Sequence, residues 1–294
     1  MTVYDRHKSE SEYTYDNYSL KIHGVDIRDR YTDLVTLNKS QISEFETIFE
    51  SLKGEPRTIK VRNSKEFNIK SLIKFKAENC QGDPKLFKKK INTNSGNIYL
   101  LIDGSGSMRN GRDKMVRNLT ANVMKAIEEI PRINLKAYVY AGEFRNSDSL
   151  CIQEINNSSE CEFITHDTDE YGTTPTHHAI DFISKRHEND SGKKLLIVIT
   201  DGEPALYHES ESGYGFNHLG MEKHLKNETK RACVELESKE FNLFGIGIDL
   251  RKNANGNFSE FDQCFRNEFV NIQTENDIKK HLISKMTEFV GLIR

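Results

Sequence analysis

The chain has 294 residues, enough to bury a sizeable core in one large domain or in a core domain with a smaller companion. Charged residues make up 30% of it and the formal net charge is −3, so charge gives no reason to expect nucleic acid or an anionic membrane as partner. No apolar run is long enough to span a membrane, and the polar first residues lack the apolar core of a signal peptide, so we expect a cytoplasmic protein.

Five cysteines, an odd number, are widely spaced and form no CxxC pair. This pattern predicts reduced thiols and no zinc site. The cysteines are Cys80, Cys151, Cys161, Cys233 and Cys264.

The first third of the chain differs in composition from the rest. Residues 1–17 are rich in Ser, Glu, Tyr and charge, which predicts a disordered or loosely attached tail. Residues 18–92 predict a small α-rich extension, with helices over 40–52 and 69–77 and a short strand over 58–61. Ser40 is a candidate N-cap for the first of these helices.

Residues 93–294 predict the main domain. Strands and helices alternate from Asn97 onward, which is typical of an α/β fold with a doubly wound, mostly parallel sheet. The predicted strands cover 98–102, 135–141, 150–155, 195–200, 241–248 and 268–272. The predicted helices cover 113–130 and 175–185, a segment beginning near 221, and 277–292.

The segment NIYLLIDGSGS, residues 97–107, ends a strand in a polar loop. Its apolar run has no polar alternation, which indicates a strand buried on both faces of a parallel sheet. After Asp103 two glycines allow a tight turn, and Asp103, Ser105 and Ser107 project oxygens toward one point beyond the strand. Carboxylate and hydroxyl oxygens favour Mg²⁺, Mn²⁺ or Ca²⁺ over Zn²⁺ or Cu²⁺.

Two further loops leave predicted strands with oxygen ligands, namely Gly172-x-Thr174-x-Thr176 and Asp201-Gly202. In such a sheet, ligands bind beyond the carboxyl ends of the strands. A six-coordinate Mg²⁺ or Mn²⁺ would be held by Ser105, Ser107 and Thr174 directly, and by Asp103 and Asp201 through coordinated waters. Because only neutral oxygens then touch the ion, an open position should attract a carboxylate from another protein.

The motifs DGSGS, GTTPT and ITDG, in this order, resemble the metal-ion-dependent adhesion site of von Willebrand factor A (VWA) domains. The resemblance covers the chain from about Asn97 to the C-terminus. It implies a Rossmann-like fold with one bound metal ion and a role in protein binding.

A narrower resemblance involves ITDGEP, the polar insertion after it, and GMEKHLKNETKRACVELESKEFNLFGIGID. These segments are similar to the C-terminal region of the CobT-type cobaltochelatase subunit and to relatives such as NorD. The resemblance implies a non-catalytic adaptor that couples a MoxR-like AAA+ ATPase to its target. The chain lacks the long acidic linker of the chelatase subunit, which argues against cobalt insertion, but a subunit of a chelatase-type enzyme remains the alternative.

Other interpretations of the motifs are weaker. A simple polar turn at DGSGS leaves the threonine loop and Asp201 unexplained. A Ser-His-Asp hydrolase would use Ser105 or Ser107 with His177 or His178 and Asp201, but GSG is not the GxSxG elbow. An extracellular adhesin is disfavoured by the cysteine pattern and by the missing signal peptide.

The remaining polar and glycine-containing segments have simple expectations. Of His177 and His178, we expect one to be exposed and one packed. The insertion at 203–220 predicts a solvated loop, because its His and Glu residues are irregularly spaced for a second metal site: His208, Glu209, Glu211 and His218. The glycines of FGIGID lie inside a strand and predict close packing under the metal loops.

Overall fold

The structure is a computed structural model that describes residues 11–15, 18–22, 35–52, 58–61, 66–67, 69–77, 87–90, 95–108, 111–130, 132–143, 150–163, 171–202, 207–210, 213–216, 219–250, 262–265 and 268–293. Within these ranges no helix has the length and apolarity needed to cross a membrane.

Fourteen strands and six helices lie in the described ranges. The strands are β1 (Ser11–Tyr15), β2 (Tyr18–Ile22), β3 (Thr58–Val61), β4 (Glu66–Phe67), β5 (Phe87–Lys90), β6 (Gly96–Asp103), β7 (Ile133–Glu143), β8 (Cys151–Ile155), β9 (Tyr171–Thr173), β10 (Lys193–Thr200), β11 (Tyr207–Ser210), β12 (Gly213–Phe216), β13 (Phe241–Ile248) and β14 (Phe269–Ile272). The helices are α1 (Lys39–Phe49), α2 (Ile69–Ala77), α3 (Arg112–Ile127), α4 (Thr176–Arg186), α5 (Leu219–Ser238) and α6 (Glu275–Ile293).

A seven-stranded sheet forms the centre of the fold. Its order is β14-β13-β10-β6-β7-β8, with β9 also paired to β7. The pairs from β14 through β7 are parallel, whereas β8 and β9 run antiparallel to β7. The predicted doubly wound, mostly parallel α/β sheet is confirmed.

Helices cover both faces of this sheet because side chains alternate between the faces along each strand. Ile98, Leu100 and Ile102 of β6 pack in one core with α1, α3 and α6. Tyr99 and Leu101 point to the second core, under α4 and α5. The strand therefore needs apolar residues at every position, as its uninterrupted run predicts.

The order of the strands reverses between β6 and β10. From β6 the chain builds outward through β7 and β8, then returns to β10 on the other side of β6 and builds outward through β13 and β14. The carboxyl ends of β6 and β10 consequently flank the crevice in which such sheets bind ligands. Asp103 ends β6, and Asp201 follows β10 directly.

The N-terminal third contributes to the central fold. Phe45, Phe49 and Leu52, in α1 and the turn after it, are fully buried in the core that contains α3 and α6. The side chain of Asn38 caps α1 by accepting from the Ser40 and Gln41 N–H groups, so Asn38 and not Ser40 is the N-cap.

Several short strands lie in segments without a strand prediction. β1 and β2 form an antiparallel hairpin, so the boundary predicted at residue 17 falls inside it. β3, β5 and β4 form a three-stranded sheet, which gives the predicted α-rich extension more strand than expected. β11 and β12 pair as a hairpin within the predicted solvated loop at 203–220.

Candidate metal centre

The first carboxylate of the site, Asp103, is completely buried at the end of β6. Its Oδ1 accepts a hydrogen bond from the Ser105 N–H at 2.8 Å, which shapes the turn that begins at Gly104. Its Oδ2 accepts one from the Thr200 hydroxyl at 2.5 Å, which ties the ends of β6 and β10 together. Asp103 is thus held in place by both strands that flank the crevice.

The two serines connect this strand end to Asp201. The hydroxyls of Ser105 and Ser107 lie 2.9 Å apart, and Ser107 donates to Asp201 Oδ1 at 2.7 Å. Ser105 is buried and Ser107 exposed, so the cluster reaches from the interior to the surface. The structure therefore brings Asp103, Ser105, Ser107 and Asp201 together, as the sequence predicts.

Thr174, the fifth predicted ligand, follows β9 and is buried. β9 packs against the turn Gly106–Met108, which places the threonine loop beside the serines. The Thr174 carbonyl accepts from the Thr176 N–H at 2.9 Å and closes the turn into α4. β9 has no counterpart among the predicted strands.

Burial and mutual repulsion raise the pKa values of the two carboxyl groups. Desolvation and the charge of Asp201 raise the pKa of Asp103 to about 7. Desolvation also raises the pKa of Asp201, although hydrogen bonds from Ser107 and Arg112 oppose the shift. Two sheltered carboxylates in one crevice favour a bound cation, because a cation would offset the repulsion between them.

The donor atoms fit a hard cation. They are two carboxylates and three hydroxyls, and Mg²⁺ or Mn²⁺ prefers such oxygens. Within the described ranges no group of three or more His, Cys, Asp or Glu residues is arranged to hold a metal. The fit therefore depends on hydroxyl oxygens, which is how the sequence predicts the set.

Arg112, which the sequence analysis did not single out, also belongs to this site. Its Nη1 donates to Asp201 Oδ2 at 2.6 Å and to the Ser107 carbonyl at 3.1 Å, while Nη2 lies 3.4 Å from Asp249 Oδ2. A basic residue at the first position of a helix opposes the helix dipole, and this local conflict was the available signal.

The histidines next to the threonine loop are packed together. His177 is 5% exposed, its ring centroid lies 4.0 Å from that of His178, and its Nδ1 is buried without a hydrogen-bond partner in the described part of the chain. Burial lowers the pKa of His177 well below its usual value. Because Ser107 donates to Asp201 itself, the geometry favours ligation over a hydrolase triad. The side chains of His208, Glu209, Glu211 and His218 fall outside the described residues.

The fold and the position of the site agree with the comparison against protein families. The model of the von Willebrand factor type A domain matches residues 97–283, more than half of the chain. The chain belongs to the VWA domain family. The match covers β6, the threonine loop and Asp201, so all five candidate ligands lie inside the VWA domain.

Solved structures give the same fold. The pilus adhesin SpaC from Lactobacillus rhamnosus GG, in its open conformation, is 15% identical, with a TM-score of 0.50 over 68% of this chain and 30% of that chain. The vWF domain of the type V pili tip protein Mfa5 from Porphyromonas gingivalis is 10% identical, with a TM-score of 0.47 over 69% of this chain and 97% of that chain. No curated protein matches this chain.

Proposed function

We propose that this VWA domain is a non-catalytic, metal-dependent protein-binding module. It holds Mg²⁺ or Mn²⁺ at Asp103, Ser105, Ser107, Thr174 and Asp201 and presents the ion to an acidic side chain of a partner protein. The observation that carries this proposal is the hydrogen-bonded chain from Asp103 through both serines to Asp201, at the point where the order of the sheet reverses.

The chemistry of the donors supports recognition of a carboxylate. Hydroxyl ligands leave most of the positive charge on the ion, and a coordination position open to solvent can then take an anionic oxygen. Ser107 is exposed, so a partner can approach from that side. The site resembles a binding surface more than a reaction centre, because its two serines are engaged with each other and with Asp201.

For the partner we propose a MoxR-like AAA+ ATPase in the cytoplasm, or the target that such an ATPase remodels. The support is the similarity of residues 199–204 and 220–249 to CobT-type and NorD-like proteins. A chelatase subunit is the alternative that the same similarity leaves open, and binding of a tetrapyrrole by the assembled complex would favour it.

The first test is metal binding by the purified full chain. Mn²⁺ titration followed by electron paramagnetic resonance should show one site in the wild type and a loss of at least tenfold in affinity in Asp103→Ala. Asp181→Asn is the matched control, because Asp181 is a buried carboxylate on α4 that pairs with Arg231 at 3.0 Å away from the site. Equal Mn²⁺ affinity in the wild type and Asp103→Ala would contradict the proposal.

The second test is capture of partners from native cell extract with the tagged chain, in Mg²⁺, in EDTA and with Asp103→Ala. We expect an AAA+ ATPase to be retained only with Mg²⁺ and an intact Asp103. Retention of the same proteins in all three samples would show that the metal site does not bind the partner.

A further inference from the structure

Arg112 occupies an unusual position for a basic residue. It is the first residue of α3 and follows Gly111, whose φ of +94° lies in the left-handed region that favours glycine. A positive charge in the first turn of a helix is unfavourable, because the N–H groups there already carry partial positive charge. The position must therefore be stabilised by what the guanidinium contacts.

Those contacts belong to the candidate metal centre and to the neighbouring strand. Nη1 pairs with Asp201, whose side chain is fully shielded from solvent, and Nη2 faces Asp249, whose side chain is 47% exposed. Asp249 follows β13, the strand next to β10, and has a φ of 54°. Arg112 thus lies between one sheltered and one exposed carboxylate.

The pairing leaves Asp201 without a free oxygen. Its Oδ1 accepts from Ser107 and its Oδ2 accepts from Arg112. A carboxylate that holds a water of the metal must give up or share one of these bonds. Arg112 also keeps its charge at any physiological pH, so it repels a divalent ion placed beside Asp201.

We propose that Arg112 competes with the divalent cation for Asp201 and thereby sets the metal affinity of the site. When the ion binds, the guanidinium moves its main contact from Asp201 to Asp249, which supplies the alternative acceptor. This inference rests on the proposed function, because it concerns the same ion. It adds a competitor encoded in the chain itself, which keeps the affinity lower than the five oxygen ligands alone would give.

The test is Mn²⁺ affinity, measured by electron paramagnetic resonance on the full chain at low ionic strength. Arg112→Gln should bind Mn²⁺ roughly tenfold more tightly, the equivalent of about 1.4 kcal/mol. Asp249→Asn should bind it roughly threefold more weakly, because the displaced guanidinium loses its acceptor. Arg112→Lys keeps the charge and should stay closer to the wild type than Arg112→Gln.

Lys125→Gln is the matched control, since Lys125 lies on the same helix and pairs with Glu128 at 2.7 Å instead of with the site. Its Mn²⁺ affinity should equal that of the wild type. If Arg112→Gln binds Mn²⁺ no more tightly than the wild type, the competition is refuted while the metal site stands. If neither protein binds Mn²⁺, the proposed function fails and the competition fails with it. Circular dichroism of each variant confirms that the fold is intact.

Discussion

At the scale of single residues, Asp103 is the side chain on which the site depends most. It is fully buried, yet its only listed donors are the Ser105 N–H and the Thr200 hydroxyl, both of them neutral. Its charge is therefore not neutralised by a direct ion pair within the described contacts, while Asp201 has Arg112. A divalent ion would supply the missing positive charge, which explains why a buried carboxylate is retained at this strand end.

This environment makes the stability of the protein depend on pH. The pKa of Asp103 is about 7 in the fold against a usual 3.8, so the folded state holds a proton that the unfolded state releases between these values. The contribution to stability is full below the usual pKa and is lost as pH rises through the folded pKa. In EDTA, the wild type should lose about 2 kcal/mol more than Asp103→Asn between pH 5.5 and pH 8.

Urea unfolding of both proteins at the two pH values measures this difference. Comparing the two proteins at each pH cancels the contributions of other titrating groups. A difference between wild type and Asp103→Asn that is the same at pH 5.5 and pH 8 would show that Asp103 does not titrate in this range.

At the scale of secondary-structure elements, β13 shows why two of its positions are glycine. A Cβ at Gly245 would lie 2.5 Å from Phe269 Cδ2 and 2.9 Å from Phe265 Cδ2, and one at Gly247 would lie 2.4 Å from Leu250 Cδ1. These glycines allow close packing, as their place inside a strand predicts. The neighbours are the aromatic rings around β14.

Gly245→Ala should therefore destabilise the fold by about 1 to 3 kcal/mol, because the aromatic rings must shift to admit a methyl group. Gly291→Ala is the control, since Gly291 lies in α6 and a Cβ there would meet nothing within 4 Å. That control should be neutral or slightly stabilising. Urea unfolding measures both, and equal effects of the two substitutions would contradict the packing argument.

The helix α1 belongs to the core although it precedes the segment that the VWA model matches. Asn122 on α3 accepts from the Asn38 N–H at 2.9 Å and donates to the Gln41 side chain at 2.7 Å, and this fixes the start of α1 against α3. Phe45 and Phe49 then fill the space beside α3 and α6.

Phe45→Ala should cost about 3 to 5 kcal/mol, because it leaves a cavity in the core. Ser43→Ala, at an exposed position of the same helix, should change stability by less than about 0.5 kcal/mol. Thermal and urea unfolding give both values. A small effect of Phe45→Ala would mean that α1 is not required for the stability of the VWA fold.

At the scale of the whole molecule, metal binding should couple the strand ends to global stability. A ligand that binds only the folded state stabilises it by mass action, which amounts to about 2.7 kcal/mol at one hundred times its dissociation constant. We expect Mg²⁺ at that excess to raise the melting temperature of the wild type by about 5 °C or more.

Differential scanning calorimetry in Mg²⁺ and in EDTA measures this shift. Asp103→Ala should lose the shift, and Asp181→Asn should keep it. A shift of the same size in Asp103→Ala would place the stabilising ion at another site.

The sequence by itself determined the alternation of strands and helices, the two carboxylates and the two serines. Continuous apolar runs can only be strands buried on both faces, and DGSGS and ITDG mark where two of them end. Short motifs of this kind specify local geometry, so their residues could be placed at strand ends without knowledge of the fold.

Only the tertiary structure decided the rest. Strand β9, the β11–β12 hairpin and the capping of α1 by Asn38 depend on pairing and packing with distant segments, which leave little local signal. Arg112 is the sharpest example. Its role follows from a contact with Asp201, 89 residues away, and that contact exists only because β6 and β10 lie side by side in the sheet.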